Sequence, residues 1–150
     1  MASPKLHRGR HSLVGAYYTV TAVARDRQPF LTGALPARAL SDELRISADE
    51  GATEPIAWVI MPDHIHWLFR LRQGSLGSCV QRFKSRSARS VNVACNSKGT
   101  VWQAGYYDHR LRDEEDLATQ ARYIIANPVR RGLVQRIEAY PHWRCRWDMG

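Results

Sequence analysis

His64 and His66 are the residues best placed, by type and spacing, to do chemistry: they stand two apart in the apolar segment MPDHIHWLF, residues 61–69. In an extended strand successive side chains point to opposite faces, so both imidazoles project from one face and could grip a single metal ion together. The other face would carry Ile65, Trp67, Phe69 and Leu71, a run that anchors the strand in a core and leaves the histidines facing a groove. Such a pair is half of a metal site. The same spacing is also met where two histidines simply lie on a partly exposed sheet face.

Further ligands are needed, and Tyr123 and Asn127 are the candidates. They are four residues apart, hence one turn apart on one helix face if the helix persists to Asn127. A divalent metal held by two imidazoles and an amide oxygen keeps open positions for a phosphate oxygen, polarises the phosphorus and stabilises developing charge. Tyr123 could then attack as a nucleophile, giving a covalent phosphotyrosine and splitting one difficult step into two. Taken alone, a tyrosine on an amphipathic helix is more often a packed residue, and Tyr106, Tyr107 and Tyr140 are the other candidate nucleophiles. Asn127, followed by Pro128, is also suited to capping a new helical turn. Asp63 adjoins the histidines in sequence, but strand alternation points it away from both, so it ranks below Asn127 as a ligand.

The elements that must position these groups can be read from pattern. The chain has 150 residues, enough for one domain with its own core. Residues 1–13 form a basic arm with Lys5, His7, Arg8, Arg10 and His11, and residues 14–150 the domain, with order beginning near Val14. Tyr17–Val23 is β-branched and aromatic, a strand; a helix follows over Pro36–Ile46; Ile56–Met61 and His64–Leu71 pair antiparallel about a tight turn at Pro62-Asp63. Leu76–Val93 is a helix, Val101–Leu111 holds another strand, and a last helix starts at Asp113, with acids in its first turn, and runs to about Ala126. That order, strand-helix-strand-strand-helix-strand-helix, is a ferredoxin-like α+β sandwich with an added C-terminal helix.

Composition narrows the partners. There are 22 Lys and Arg against 14 Asp and Glu, a net charge of +8, and guanidinium binds phosphate oxygens through paired hydrogen bonds. Nucleic acid is therefore the leading partner, although a basic surface also serves solubility alone. Arg82, Arg86 and Arg89 form a stripe with no interleaved acid along their helix, as compatible with phosphate binding as with a solvated face, and Arg130-Arg131 is a second basic segment. Unpaired bases would be met by aromatic residues such as Trp102, Tyr106 or Trp143. No apolar run is long enough to cross a bilayer and no secretory leader is evident, so a cytoplasmic protein is expected. Cys79, Cys95 and Cys145 lie far apart and suggest neither a disulfide framework nor a zinc knuckle.

Four segments, MPDHIHWLF, VWQAGYYDHRLR, YIIANPVRRGLV and YPHWR, together resemble the REP-associated tyrosine transposases, relatives of the single-strand transposases of the HUH endonuclease class. The resemblance runs from about Tyr17 to Trp143, in the family's order and spacing. It implies a central antiparallel sheet flanked by helices, with His64 and His66 binding Mg²⁺ or Mn²⁺ and Asn127 completing the site. It also implies that Tyr123 takes the 5′-phosphate of a cleaved single strand and frees a 3′-hydroxyl, on DNA that forms repetitive extragenic palindromic hairpins. A homodimer is compatible with this. Histidine-triad hydrolases need a third alternating histidine where Leu68 stands, and two-motif phosphoesterases need a second His-x-Ser/Thr that the chain lacks. A rolling-circle initiator-like nuclease, or a catalytically idle hairpin-binding regulator descended from a transposase, is the remaining alternative.

Overall fold

The computed structural model describes residues 12–112 and 116–147. Five strands form one antiparallel sheet: β1 (Tyr17–Val23), β2 (Thr53–Met61), β3 (His64–Leu71), β4 (Tyr107–Arg110) and β5 (Trp143–Cys145), in the spatial order β4-β1-β3-β2-β5. With α1 (Ala34–Asp49) between β1 and β2 and α2 (Leu76–Cys95) between β3 and β4, the chain has the expected ferredoxin-like order. α3 (Leu117–Ile125) and the single turn α4 (Asn127–Arg130) follow.

The alternation of β3 sorts the molecule into layers. Ile65, Trp67, Phe69 and Leu71 enter the larger core with Val20 and Ala22 of β1, Leu40 and Leu44 of α1, and Val80 and Phe83 of α2. Leu68 faces the other way, joining Ile56 and Ala57 of β2 and Ala121, Ile124 and Ile125 of α3 in a smaller core. α1 and α2 thus cover one face, and α3 the other. β3 is central, flanked by β1 and β2 along its whole length, and each fully buried side chain such as Leu68 contributes about 1.5–3 kcal/mol.

Several boundaries differ from the sequence reading. Of the arm expected over residues 1–13, residues 1–11 lie outside the described part, while Ser12 accepts from the Leu76 amide and the Leu13 amide donates to the Tyr18 hydroxyl. α1 is longer at both ends than Pro36–Ile46, and β2 begins at Thr53, carrying Pro55 beside a bulge beyond the reach of β5. Asp113, Glu114 and Glu115 lie outside the described residues; α3 itself begins at Leu117, capped by the Asp116 carboxylate, which accepts from the Ala118 amide. β5 was not anticipated, being three residues paired only with Ala57–Val59. No described helix is long and apolar enough to cross a membrane.

Candidate active site

The histidine pair sits at the start of β3, immediately after a two-residue turn. Met61 pairs with His64 across Pro62-Asp63, and neither turn residue has a positive φ, so this is not one of the left-handed turns that match strand twist. The segment after β1 holds it instead: the Ala24 amide donates to the Asp63 carbonyl at 2.8 Å and the Leu31 amide to the Pro62 carbonyl at 3.0 Å. Both imidazoles lie on the α3 face, their centroids 4.8 Å apart and their planes at 80°. His64 is 2% exposed and His66 half-buried.

Each ring is anchored through Nδ1. His64 Nδ1 lies 2.7 Å from the Asp63 carboxylate, which is also 3.4 Å from the Arg27 guanidinium. A carboxylate only accepts, so His64 Nδ1 carries the proton and its Nε2 keeps a lone pair. His66 Nδ1 is 2.9 Å from the Thr21 hydroxyl of β1, its cross-strand neighbour. With Nδ1 donating there too, each Nε2 keeps a lone pair able to accept a proton donor or a cation.

Burial sets the protonation. Desolvation pushes the His64 pKa below its ordinary value, against the opposing pull of Asp63 and with help from the Arg131 and Arg27 charges. His66 is lowered to about 3 by desolvation and then by His64, Arg130 and Arg131. Partial burial pushes the Asp63 carboxyl up, but its hydrogen bond to His64 and the His64 and Arg27 charges outweigh this and hold it low. At neutral pH the site is two neutral imidazoles backed by one carboxylate, the state metal ligation requires.

Asn127 reaches the pair from the helical side. α3 ends at Ile125, yet Ala126 stays right-handed (φ −75°, ψ −4°) and α4 continues at once, so Asn127 keeps its place one turn after Tyr123. Its side chain is 4% exposed and does not cap: Nδ2 lies 3.1 Å from His64 Nε2 and Oδ1 accepts from Arg130 at 3.3 Å. Tyr123 is 61% exposed, with the Arg130 guanidinium 4.1 Å above its ring and donating to its carbonyl at 2.6 Å. The other candidate nucleophiles are less available. Tyr106 is buried, Tyr107 half-buried on β4, and the Tyr140 hydroxyl donates to the Ile60 carbonyl. Among the described residues no three His, Cys, Asp or Glu side chains are placed to hold a metal, so a cation here depends on the imidazole pair and Asn127.

The site thus brings together His64, His66, Asn127, Tyr123 and Arg130, with Arg131 near enough to depress both histidines. Arg82, Arg86 and Arg89 belong to α2, on the opposite layer, and although α2 itself carries no acid, two of the three arginines are already paired. Acids come across from α1 and its C-cap: Arg82 makes a forked pair with Glu50 at 2.8 and 3.1 Å, and Arg86 donates to Glu43 at 2.9 Å, where Ser90 also donates. Arg89 is exposed. Trp102 and Tyr106, expected to stack on bases, are core residues at 6% and 4% exposure, and Trp143 is half-buried on β5. Strand alternation points Asp63 away from both histidines, but it belongs to the turn, where alternation does not apply, and its carboxylate reaches His64 Nδ1. Thr21 and Arg27 had no signal in local sequence.

Comparison with known proteins gives the family. A relative from Haemophilus influenzae, assigned by name, provisionally, to the REP-associated tyrosine transposases, is 26% identical over 140 residues, covering 85% of this chain and 78% of its own. The REP-associated tyrosine transposase of Escherichia coli is 31% identical over 88 residues, 57% of this chain and 50% of that protein. A solved REP-associated tyrosine transposase bound to a REP hairpin superposes with a TM-score of 0.72 at 26% identity, covering 89% of this chain and 79% of that one. The family model described as "Transposase IS200 like" matches residues 12–127, a span containing the histidine pair, Tyr123 and Asn127, and the chain belongs to that transposase family.

Proposed function

We propose that this transposase cleaves single-stranded DNA beside a hairpin of the REP kind, with Tyr123 as nucleophile and a divalent cation, Mg²⁺ or Mn²⁺, held by His64, His66 and Asn127. The observation that carries the reading is the buried contact between His64 and Asn127, 3.1 Å, which ties the element bearing the tyrosine to the histidine strand. Packing of α3 over Leu68 brings the two halves of the motif close, and this contact joins their functional groups.

The donor set fits such a cation: two neutral imidazoles with Nδ1 engaged elsewhere, and one amide able to offer oxygen. Nitrogen ligands favour Mn²⁺ over Mg²⁺, which prefers oxygen. When bound, the ion supplies Lewis-acid polarisation of a phosphate and neutralises charge developing on it. The Tyr123 oxygen attacks the phosphorus, its O–P bond forms, and the bond from phosphorus to the 3′ oxygen breaks. The tyrosine proton is lost and the 3′ oxygen gains one, leaving a 3′-hydroxyl and a 5′-phosphotyrosine. Exposure of Tyr123 lets a strand approach it, while Arg130 places positive charge beside it and Arg131 beside the histidines for phosphate oxygens. Reattack by a 3′-hydroxyl on the phosphotyrosine would rejoin ends.

Incubation with single-stranded hairpin DNA and Mn²⁺ should give an adduct that survives denaturation, absent in Tyr123→Phe. An adduct of undiminished yield in that variant would move the nucleophile elsewhere, and hairpin binding with no adduct in the wild type would favour the idle regulator.

A further inference from the structure

Arg130 occupies an unusual place at the site. Its fork is divided between the Tyr123 carbonyl, 2.6 Å from Nη1, and Asn127 Oδ1, 3.3 Å from Nη2, while its plane covers the Tyr123 ring. A guanidinium can only donate hydrogen bonds, so the atom of Asn127 that faces it is the oxygen. The amide nitrogen is then what remains for His64 Nε2, and that is the contact observed. The polarity is consistent along the whole chain of bonds: Arg27 to Asp63, His64 to Asp63, Asn127 to His64, Arg130 to Asn127.

An amide nitrogen has no lone pair for a cation. In this arrangement Asn127 therefore occupies His64 Nε2 with a donor and turns its ligating atom toward Arg130. We propose that Arg130 is a positioning residue that latches Asn127 in a non-ligating orientation, so that cation binding must break the Arg130–Asn127 hydrogen bond. The inference rests on the metal reading above and deepens it by making readiness of the site depend on Arg130. The released Nη2 then stands beside Tyr123, where a phosphate oxygen would take the place of Asn127 Oδ1. Site loading and exchange of the Arg130 partner are thereby coupled.

The experiment is a titration of the full chain with Mn²⁺, read by loss of the free-ion paramagnetic signal, so that affinity is measured apart from DNA cleavage. Two variants separate a latch from simple repulsion between Arg130 and the cation. Arg130→Lys keeps the charge but cannot form the fork across two acceptors. The latch predicts tighter Mn²⁺ binding by about threefold to tenfold in Arg130→Lys, the range expected for losing one modest hydrogen bond that competes with the ligand. It also predicts that Arg130→Lys changes nothing when Asn127 is already Ala, a coupling that a double-mutant cycle reads directly. Thermal melting of each variant verifies that the fold is retained. Unchanged or weaker binding in Arg130→Lys, or an equal gain with and without Asn127, overturns the latch while leaving the metal reading in place. No Mn²⁺ binding by the wild type or any variant overturns the metal reading, and the latch with it.

Discussion

Asp63→Asn tests how much of the proposed metal site lies outside the ligands themselves. The amide oxygen of the variant can accept the same proton from His64 Nδ1, so ring orientation is kept and only the charge is lost. The wild-type contact is short, 2.7 Å, and made to a side chain that is one quarter exposed. A hydrogen bond to a charged partner contributes about 1.5–3 kcal/mol and a neutral one about 0.5–1.5, so the change removes about 1–1.5 kcal/mol, close to tenfold in affinity. Asp63→Ala leaves a buried N–H with no acceptor and should fall further, into the range of about 10–100-fold seen for lost outer-sphere partners. Protonation does not confuse the measurement, because Asp63 raises the His64 pKa and its removal lowers that pKa further, keeping the ring neutral at pH 7. Mn²⁺ affinity and the single-turnover rate of adduct formation should decline together. Asp63→Asn with affinity and rate within about twofold of wild type would refute the argument and reduce Asp63 to a turn residue.

His64→Ala and His66→Ala should each abolish adduct formation while hairpin binding persists by gel shift, and cleavage surviving in both would remove the metal assignment. Replacing Arg130 and Arg131 by Ala should flatten the plot of log affinity against log salt by about 0.7 per contacted phosphate, whereas the Arg82, Arg86, Arg89 triple variant should lose no more than the share of Arg89. A loss near two units in the triple variant would place DNA on the α1/α2 layer after all. Arg86→Ala leaves the Glu43 carboxylate, 9% exposed, with Ser90 alone, and should cost about 1–3 kcal/mol, read as a lower melting temperature. Acid should also destabilise the fold before its carboxylates titrate. His66 protonates near 6.5 when unfolded but only at about 3 when folded, so the unfolded state binds the extra proton in between. Stability then decreases as the pH is lowered through this window, by up to about 1.4 kcal/mol per unit for that proton, and melting curves of His66→Gln should lose this part of the slope.

Which features were legible in the sequence follows from how far their causes extend. A period of two fixes which side chains share a face, so the histidine pair and the core run behind it could be read from nine residues. Asp63 could not, because the rule that placed the histidines was carried one residue past the strand into a turn. The partners of Arg82 and Arg86 lie 32 and 43 positions away, at the C-cap of α1 and on α1 itself, and only the packing of the two helices brings Glu50 and Glu43 to them. β5 is invisible for a different reason: three residues carry too little pattern, and the strand exists because β2 offers a free edge.

The same distinction separates the two halves of the site. The histidines stand on the central strand, held on both sides by ladder hydrogen bonds and beneath by the larger core. The tyrosine stands on nine helical residues packed over the small cluster of Ile56, Ala57 and Leu68, joined to the strand through His64 and Asn127. Fewer buried contacts mean a lower cost of local displacement, so under the proposed mechanism the tyrosine element is the part able to move while the histidine pair keeps its geometry. Under that proposal, a nucleophile that carries a DNA end from cleavage to joining belongs on such an element, and the imidazole pair that would hold the cation belongs on the other.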